Sequence, residues 1–260
     1  MTILDEIAAY TRERIRKQKE YRSFESVRKE AEEQKDTVPS FLQALKKPEL
    51  SFILECKKAS PSKGLIAPDF PYLSIAKEYE AAGADAISVL TEPKWFLGQD
   101  SYLSEITDAV SIPCLRKDFT VDPYMIYEAR ILGASAVLLI VSILSAEELE
   151  EYRKLAESLG MDALVETHDE EEIASALKAG AKIIGVNNRN LHDFSVDTKN
   201  SEALRSRIPE QCLFVSESGV KTPEDIEGLR KIGADACLIG ETMMRAPDKK
   251  EMLKRLRGEL

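Results

Sequence analysis

Residues 82–90 read Ala82-Gly83-Ala84-Asp85-Ala86-Ile87-Ser88-Val89-Leu90, a glycine-alanine pair followed by an apolar run. Similar segments begin at Leu132, Ala179 and Ile232. Glycine readily adopts the left-handed conformation that ends a helix, so each copy predicts a helix, a turn and then a strand. Successive copies lie about fifty residues apart, which leaves room for two strand-helix units in each interval.

Counting the remaining apolar runs extends this pattern to eight strands. They are predicted at 51–57, 86–91, 113–117, 136–142, 162–166, 182–187, 213–217 and 236–240. Helices between and after them are predicted at Tyr72–Ala82, Pro123–Leu132, Ala146–Leu159, Glu170–Ala179, Pro223–Ile232 and Lys249–Arg257. Eight alternations favour the α/β class and a single (β/α)8 TIM barrel over residues 51–260. An open six-stranded sheet would require two of these strands to be wrong, and no Gly-x-Gly-x-x-Gly turn follows the first strand.

Residues 1–50 precede the first strand and form a predicted N-terminal helical extension of the same domain. Helical patterning is present at Ile3–Tyr21, Phe24–Gln34 and Phe41–Leu45. The extension either covers an end of the barrel or helps to bind a ligand. The loop 59–69, after the first strand, contains Ser60-Pro61-Ser62-Lys63-Gly64, and its length with its proline and glycine predicts a mobile lid.

The amino-acid composition disfavours two classes of binding partner. The chain has 260 residues, a net charge of −10 and a pI near 5.0, which disfavours nucleic acid and anionic membrane because both attract basic surfaces. The longest apolar run, 136–144, is too short to cross a bilayer. Residues 1–21 alternate apolar and charged side chains, unlike the apolar centre of a secretion signal. We therefore expect a cytoplasmic protein that is a monomer or a weak homodimer.

The cysteines and histidines do not form a metal-binding pattern. Cys56, Cys114, Cys212 and Cys237 lie in or beside apolar runs without a paired spacing, so we expect buried, reduced thiols. The two histidines, His168 and His192, are not near a pair of cysteines. A zinc site would need closely spaced ligands, and no metal is expected.

Polar residues end several of the predicted strands. The first strand ends in Glu55 and Lys57, the third in Lys117, and the fifth in Glu166. Side chains alternate faces along a strand, so Glu55 and Lys57 share a face while the residue between them points away. Above a barrel core, a lysine beside carboxylates can donate a proton and a semi-buried glutamate can accept one. A purely structural ion-pair network is the alternative.

The loops after the seventh and eighth strands suggest a phosphate site, because barrels often bind phosphate there through backbone N–H groups. They read Ser216-Glu217-Ser218-Gly219 and Ile239-Gly240-Glu241-Thr242. The alternative is that both glycines serve only tight turns, and an inward-facing Glu241 would repel phosphate. Two weaker features are open to a structural interpretation. His168 is expected near a helix start rather than as a base, and Trp95-Phe96 either stacks on an aromatic ligand or packs under the rim.

Residues 52–64 resemble the first strand and loop of the indole-3-glycerol phosphate synthase family, reading Phe52-Ile53-Leu54-Glu55-Cys56-Lys57-Lys58-Ala59-Ser60-Pro61-Ser62-Lys63-Gly64. Further segments agree in the order of that family. They are 88–92, 117–119, 138–140, Glu166, 185–191, 216–219 and 238–240. The resemblance covers essentially the whole chain, including the N-terminal extension.

The resemblance implies a TIM-barrel enzyme that needs no cofactor and acts on a phosphorylated small molecule. The family closes the ring of 1-(2-carboxyphenylamino)-1-deoxyribulose 5-phosphate, with loss of carbon dioxide and water, to give indole-3-glycerol phosphate. By resemblance, Lys117 is the general acid and Glu166 is the base or a charge stabiliser. Lys57 lies near the carboxylate of the substrate or acts as a second acid, and the two lysines are assigned jointly.

The resemblance also implies the surrounding contacts. Glu55 orients Lys57, while Asn187 and Arg189 match positions near the ring and its carboxylate. The implied phosphate site contains Ser60, Ser218, Gly219 and Gly240, and Glu217 is a further expected contact with the substrate. At Glu241, where many members have serine, only the backbone is expected to contact the ligand. The implied apolar pocket for the ring is formed by Phe96, Phe119, Leu138 and Leu191.

Two other functions remain compatible with the same residues. One is another phosphate-binding barrel enzyme, such as an aldolase that uses Lys117 or Lys57 as a Schiff-base nucleophile, which borohydride would trap. The other is a catalytically silent barrel that binds a phosphorylated metabolite or a partner enzyme. A silent barrel would be expected to lack a catalytic lysine or glutamate, and the sequence retains both types.

Overall fold

Eight parallel strands close into a barrel in the computed structural model, which describes residues 2–190 and 194–260. In chain order the strands are β1 (Ser51–Cys56), β2 (Ala59–Ser60), β3 (Gly64–Leu65), β4 (Ala86–Leu90), β5 (Cys114–Lys117), β6 (Ala136–Ile140), β7 (Asp162–Thr167), β8 (Ile183–Asn187), β9 (Leu213–Glu217) and β10 (Ala236–Ile239). The barrel has the order β1-β10-β9-β8-β7-β6-β5-β4, while β2 and β3 form a small antiparallel hairpin in the first strand-helix loop. The predicted TIM barrel and its eight strands are confirmed.

Helices surround the barrel and precede it. They are α1 (Ile3–Tyr21), α2 (Phe24–Glu32), α3 (Phe41–Leu45), α4 (Tyr72–Ala82), α5 (Asp100–Ala109), α6 (Pro123–Ile131), α7 (Ala146–Ser158), α8 (Glu170–Lys178), α9 (Lys199–Leu204), α10 (Pro223–Lys231), α11 (Glu241–Arg245) and α12 (Lys249–Arg257). The predicted helices are confirmed to within two residues at each end, including the helical extension. The sequence prediction missed α5, α9 and α11, none of which has a side-chain hydrogen bond at its N-cap.

The repeated glycines end helices, as the sequence predicts. Gly83, Gly133, Gly180 and Gly233 have φ angles of +96°, +78°, +79° and +71°. In this left-handed conformation the following alanine can donate its N–H back into the last helical turn, as Ala84 does to the carbonyl of Tyr79 at 3.0 Å. A barrel strand follows each turn, namely β4, β6, β8 or β10.

The strands separate two apolar layers. Leu115 and Leu164 lie in the cluster inside the barrel, whereas Cys56 lies in the outer layer against the helices. The predicted alternation of faces is therefore confirmed, and it directs Glu55 and Lys57 towards the barrel interior. Cys56, Cys114, Cys212 and Cys237 are all buried and free, as expected.

The N-terminal extension contacts both ends of the barrel. Leu4 and Ile7 of α1 and Phe41 of α3 belong to the same inner apolar cluster. Helix α1 lies at the C-terminal ends of the strands, where Arg14 pairs with Asp118 at 2.9 Å just after β5. Helix α3 lies at the opposite end, where the N–H of Leu42 donates to Asp162, the first residue of β7. The helix over the C-terminal ends is therefore placed to contact a ligand.

Within the part of the chain that the structure describes, none of the helices combines the length and the apolar character required to cross a membrane.

Candidate active site

A cavity of about 450 Å³ opens at the C-terminal ends of the barrel strands. Leu191 lies outside the described residues, and all the other predicted site residues line this cavity. They are Glu55, Lys57, Ser60, Phe96, Lys117, Phe119, Leu138, Glu166, Asn187, Arg189, Glu217, Ser218, Gly219, Gly240 and Glu241. Residues from every strand region of the barrel therefore meet in one space.

Lys117 lies between two carboxylates at the floor of this cavity. Its Nζ is 2.8 Å from Oε2 of Glu166 and 3.1 Å from Oε2 of Glu217. Lys117 and Glu217 are the last residues of β5 and β9. Glu166 and Glu55 are each the residue before the last in β7 and β1. These are alternate strands of the closed barrel, which contribute inward side chains to the same layer. Barrel closure thus brings together groups that are far apart in sequence.

Burial and charge separate the pKa values in this cluster. Burial raises the pKa of Glu166, but the charges of Lys117 and His168 outweigh it and lower the pKa to about 2. Burial raises the pKa of Glu217 to about 7, and the charge of Glu166 adds to that effect while Lys117 opposes it. Burial lowers the pKa of Lys117, yet the charges of Glu166 and Glu217 outweigh burial and raise it above its usual value. At neutral pH the cluster therefore contains a charged lysine, an ionised Glu166 and a partly protonated Glu217.

Lys57 has its own carboxylate partner. Its Nζ lies 2.6 Å from Oε1 of Glu55, whose other oxygen accepts a bond from Ser88 at 3.4 Å. Gly240 packs directly against this pair, since a Cβ at that position would lie 2.5 Å from both Glu55 Oε1 and Lys57 Nζ. The glycine after β10 therefore leaves the space that the Glu55–Lys57 pair occupies.

Asn187 connects Glu166 to Arg189. Its Nδ2 donates to Oε1 of Glu166 at 3.1 Å, and its Oδ1 accepts from the backbone N–H of Arg189 at 3.1 Å. The guanidinium of Arg189 donates to the carbonyl of Phe194 at 3.1 Å and lines the cavity. The end of β8 thereby provides both a group that orients Glu166 and a cation.

The loop after β9 has an unusual backbone conformation where it lines the cavity. Ser218 and Gly219 are consecutive residues with positive φ, +66° and +101°. The carbonyl of Ser218 is held by Nδ2 of Asn188 at 3.0 Å, which fixes the loop.

The carboxylate of Glu241 forms ion pairs with two basic side chains at the same end of the cavity. It accepts from Arg245 at 3.0 Å and lies 3.9 Å from Nζ of Lys63 in the first strand-helix loop. The objection that Glu241 would repel phosphate is therefore weakened. Lys63 and Lys221 also line the cavity and are cations that the sequence reasoning did not assign to the site.

An apolar slot lies beside the charged cluster. Phe96 and Phe119 form its wall, with ring centroids 6.3 Å apart, and Leu138 adds to it. Helix α1 completes the slot with Ile3, Leu4 and Ile7. The sequence reasoning did not name these three residues, although their helical spacing places them on one face.

The aromatic pair after β4 is divided between two roles. Phe96 lines the cavity, whereas Trp95 makes an edge contact with Tyr10 of α1, with centroids 5.4 Å apart. The buried carboxylate of Glu92 accepts the backbone N–H groups of Lys94, Trp95 and Phe96 and so holds the loop. For Trp95 the structure favours packing under the rim.

The described residues contain no cluster of three or more histidine, cysteine or acidic side chains arranged to hold a metal ion. The cavity is lined by two lysines with carboxylate partners, an arginine, an apolar slot and the loop of Ser218 and Gly219.

The sequence is similar to those of known proteins over almost its whole length. The family model for indole-3-glycerol phosphate synthase matches residues 4–256. An indole-3-glycerol phosphate synthase of Ruminiclostridium cellulolyticum is 56% identical over 257 residues, covering 98% of this chain and 99% of that protein. One from Lacticaseibacillus casei is 53% identical over 252 residues, covering 96% and 97%.

Solved structures share the fold at low identity. The crystal structure of 3-hexulose-6-phosphate synthase matches with a TM-score of 0.65 and 17% identity, covering 81% of this chain and all of that chain. A mandelate oxidase mutant matches with the same TM-score and identity over 80% of this chain and 71% of its own. These likenesses support the barrel architecture alone.

Proposed function

Because the chain belongs to the indole-3-glycerol phosphate synthase family, we propose that Lys117, Lys57 and Glu166 carry the proton transfers of its ring closure. The enzyme converts 1-(2-carboxyphenylamino)-1-deoxyribulose 5-phosphate to indole-3-glycerol phosphate, carbon dioxide and water. The observation that carries the proposal is Lys117 held between the carboxylates of Glu166 and Glu217.

In the proposed sequence, the ring carbon that bears the carboxylate attacks the ketone carbon, and Lys117 protonates the ketone oxygen. Carbon dioxide then leaves, and the electrons of the broken bond restore the aromatic ring. Glu166 removes a proton from the methylene carbon while Lys57 protonates the hydroxyl, which departs as water. Two protons are supplied and one is taken up, which matches the single proton that the loss of carbon dioxide consumes.

The protonation states support these roles. The raised pKa of Lys117 means that it holds a proton to donate, and the lowered pKa of Glu166 means that it is ionised and can accept one. Glu55 holds Lys57 at 2.6 Å and so orients the second acid. A proton on Glu217 limits the repulsion between two carboxylates that share one lysine.

The remaining contacts bind the ends of the substrate. We assign the phosphate to Ser60 and the backbone of Ser218, Gly219, Gly240 and Glu241. The ring is assigned to the slot of Phe96, Phe119 and Leu138, with Leu191 as a further contact on the basis of the family resemblance. Helix α1 covers the ring slot, which supports our treatment of residues 1–50 and 51–260 as one domain. A dry slot next to fixed charges favours the charge shifts of the reaction.

Purified protein supplied with the substrate in the presence of a chelator, and without added cofactor, is expected to form the indole chromophore. The reason is that the proposed steps use only side-chain acids and a base. Absorbance and fluorescence of the indole product measure the reaction. Activity that disappears with the chelator and returns with a metal would contradict the proposal. Borohydride treatment that added the substrate mass to a lysine would instead support a Schiff-base mechanism.

Replacing Arg189 by alanine is expected to raise KM by on the order of 10- to 100-fold, with a smaller effect on kcat. This factor corresponds to the binding free energy that a hydrogen bond to a charged group contributes. The carboxylate that Arg189 faces in our assignment leaves during the reaction, so the contact is made mainly in the bound substrate. Steady-state kinetics on Arg189→Ala and on Arg189→Lys, which retains the charge, separates the two constants. An unchanged KM in the alanine variant would remove Arg189 from substrate binding.

We further infer that the protein works in the cytoplasm as a monomer or a weak homodimer. The large apolar side chains that are exposed among the described residues come from separate segments. They are Tyr21, Leu65, Leu97, Val196 and Leu260. Five such side chains among the described residues provide little apolar surface for an extensive permanent interface.

A further inference from the structure

His168 lies directly behind Glu166, outside the substrate cavity. It precedes Asp169, the N-cap of α8, so the predicted position near a helix start is confirmed. Its Nε2 is 3.6 Å from Oε1 of Glu166, and its Nδ1 is 3.0 Å from Oε2 of Glu172. The side chain of His168 is 17% exposed and that of Glu166 only 4%, which places their contact away from bulk solvent.

Glu172 fixes the position and the tautomer of the imidazole. The same oxygen, Oε2, also accepts the backbone N–H of His168 at 2.8 Å. A carboxylate only accepts hydrogen bonds, so Nδ1 carries the hydrogen that it shares with Glu172. Asn200 of α9 donates to the carbonyl of His168 at 3.2 Å and holds the backbone from the other side.

The second ring nitrogen then has an unusual environment. The buried Nε2 has no hydrogen-bond partner within 2–190 and 194–260. In a neutral ring with its hydrogen on Nδ1, the lone pair of Nε2 would face the negative charge of Glu166, which is repulsive. An imidazolium instead presents N–H groups to Glu166 and Glu172 at once. The geometry therefore favours the charged form.

The charges around His168 agree with this preference. The charged groups that face it are Glu166 on β7, Glu172 on α8 and Glu217 on β9, and Lys117 on β5 lies beyond Glu166. Burial lowers the pKa of His168, but the hydrogen bond to Glu172 and the three carboxylates outweigh burial and raise it above its usual value.

We propose that His168 is a positioning residue for Glu166. Its imidazolium lies beside Oε1 of the carboxylate, while the ammonium of Lys117 binds Oε2. The proposal rests on the role of Glu166 as the base. Lys117 loses its charge when it gives its proton to the ketone oxygen, and burial then favours a protonated, inactive Glu166. The charge of His168 opposes that change and keeps the carboxylate ready to accept the methylene proton. His168 itself does not line the cavity.

NMR titration of the imidazoles tests the geometry directly, because the sequence contains only two histidines and His192→Gln assigns them. We expect His168 to titrate above its ordinary value. Glu166→Gln and Glu172→Gln should each lower that pKa by on the order of one unit, the usual effect of a charge within 4–6 Å. Glu171→Gln, on the exposed part of the same helix, is the matched control and should not shift it. A pKa of His168 that is the same in the wild type and in Glu166→Gln would overturn the proposal.

Kinetics tests the consequence. We expect His168→Gln to lower kcat on the order of 10-fold, equivalent to one pKa unit, with little change in KM because His168 does not contact substrate. Because the pKa of His168 is raised, the imidazolium keeps its charge above the pH at which an ordinary histidine loses it. The charge is lost as the pH rises through the raised pKa. Wild-type kcat should therefore fall in a step at the pKa found by NMR, and His168→Gln should lack that step.

The outcomes separate the two proposals. An identical pH profile in wild type and His168→Gln would overturn the positioning role, even if Glu166→Gln is inactive. Normal turnover in Glu166→Gln would instead refute the base on which the proposal rests. If His168→Gln does not fold, the titrations of wild type, Glu166→Gln, Glu171→Gln and Glu172→Gln still decide the matter.

Discussion

Replacing Lys117 by alanine is expected to lower kcat by on the order of 10²–10⁴, the usual contribution of a general acid, while leaving the barrel folded. The ammonium is held 2.8 Å and 3.1 Å from two buried carboxylates, which keep it protonated and aim it into the cavity. Without it, the ketone oxygen has no charged donor at this position. Steady-state kinetics and circular dichroism on the purified variant measure the loss and the fold.

The same change leaves Glu166 and Glu217 without their shared cation. The pKa of Glu217 is already raised to about 7, so the pair can take up a proton instead of keeping two uncompensated charges. Lys182→Ala is the matched control, because this lysine pairs with Glu157 at 3.1 Å, precedes β8 and is 58% exposed. Full activity in the control and loss in Lys117→Ala is the expected pattern. Equal turnover in both variants would rule out Lys117 as the acid.

Replacing Glu166 by glutamine is expected to lower kcat on a similar scale, on the order of 10²–10⁴, because an amide cannot accept the methylene proton. The change preserves the shape of the side chain. The amide oxygen of the glutamine can still accept from Lys117, whereas its NH2 group cannot accept the hydrogen bond that Asn187 donates to Glu166. Burial is the main cause of the raised pKa of Glu217, and the change removes the charge of Glu166 that adds to it. Glu217 should then ionise at lower pH and become the main partner of Lys117. The fold should therefore survive, and circular dichroism checks that it does.

Glu170→Gln provides the comparison, since Glu170 is 57% exposed and pairs with Arg207 away from the cavity. A variant with both Lys117→Ala and Glu166→Gln should lose much less than the product of the two single losses, because the groups act as a unit. Turnover of Glu166→Gln at the level of Glu170→Gln would refute the assignment of the base.

Local rules in the sequence predicted much of this architecture. The positions of Gly83, Gly133, Gly180 and Gly233 are sufficient to locate four helix ends, since the left-handed conformation is a property of the residue itself. The alternation of side chains along a strand places Lys57 on the inner face and Cys56 on the outer one. Helices such as α9 and α11 escaped prediction because six or five residues contain too little periodicity.

Contacts between segments that are distant along the chain could not be predicted from such local rules. The sequence suggested Glu217 as a substrate contact, but it did not predict that its carboxylate lies against Lys117, one hundred positions away. Ile3 and Ile7 of α1 enter the ring slot only because the helix docks over the strand ends. His168 looked like an ordinary helix-start residue, and its approach to Glu166 depends on Glu172 holding the imidazole.

The sequence by itself therefore determined the barrel, the inward face of each strand and the family, because these follow from side-chain direction, residue conformation and motif order along the chain. Only the tertiary structure decided which carboxylates Lys117 contacts, which groups are charged and how the extension completes the cavity. The physical reason is that closure of the barrel sets strand register and burial, and distances of about 3 Å in a buried site determine the pKa values.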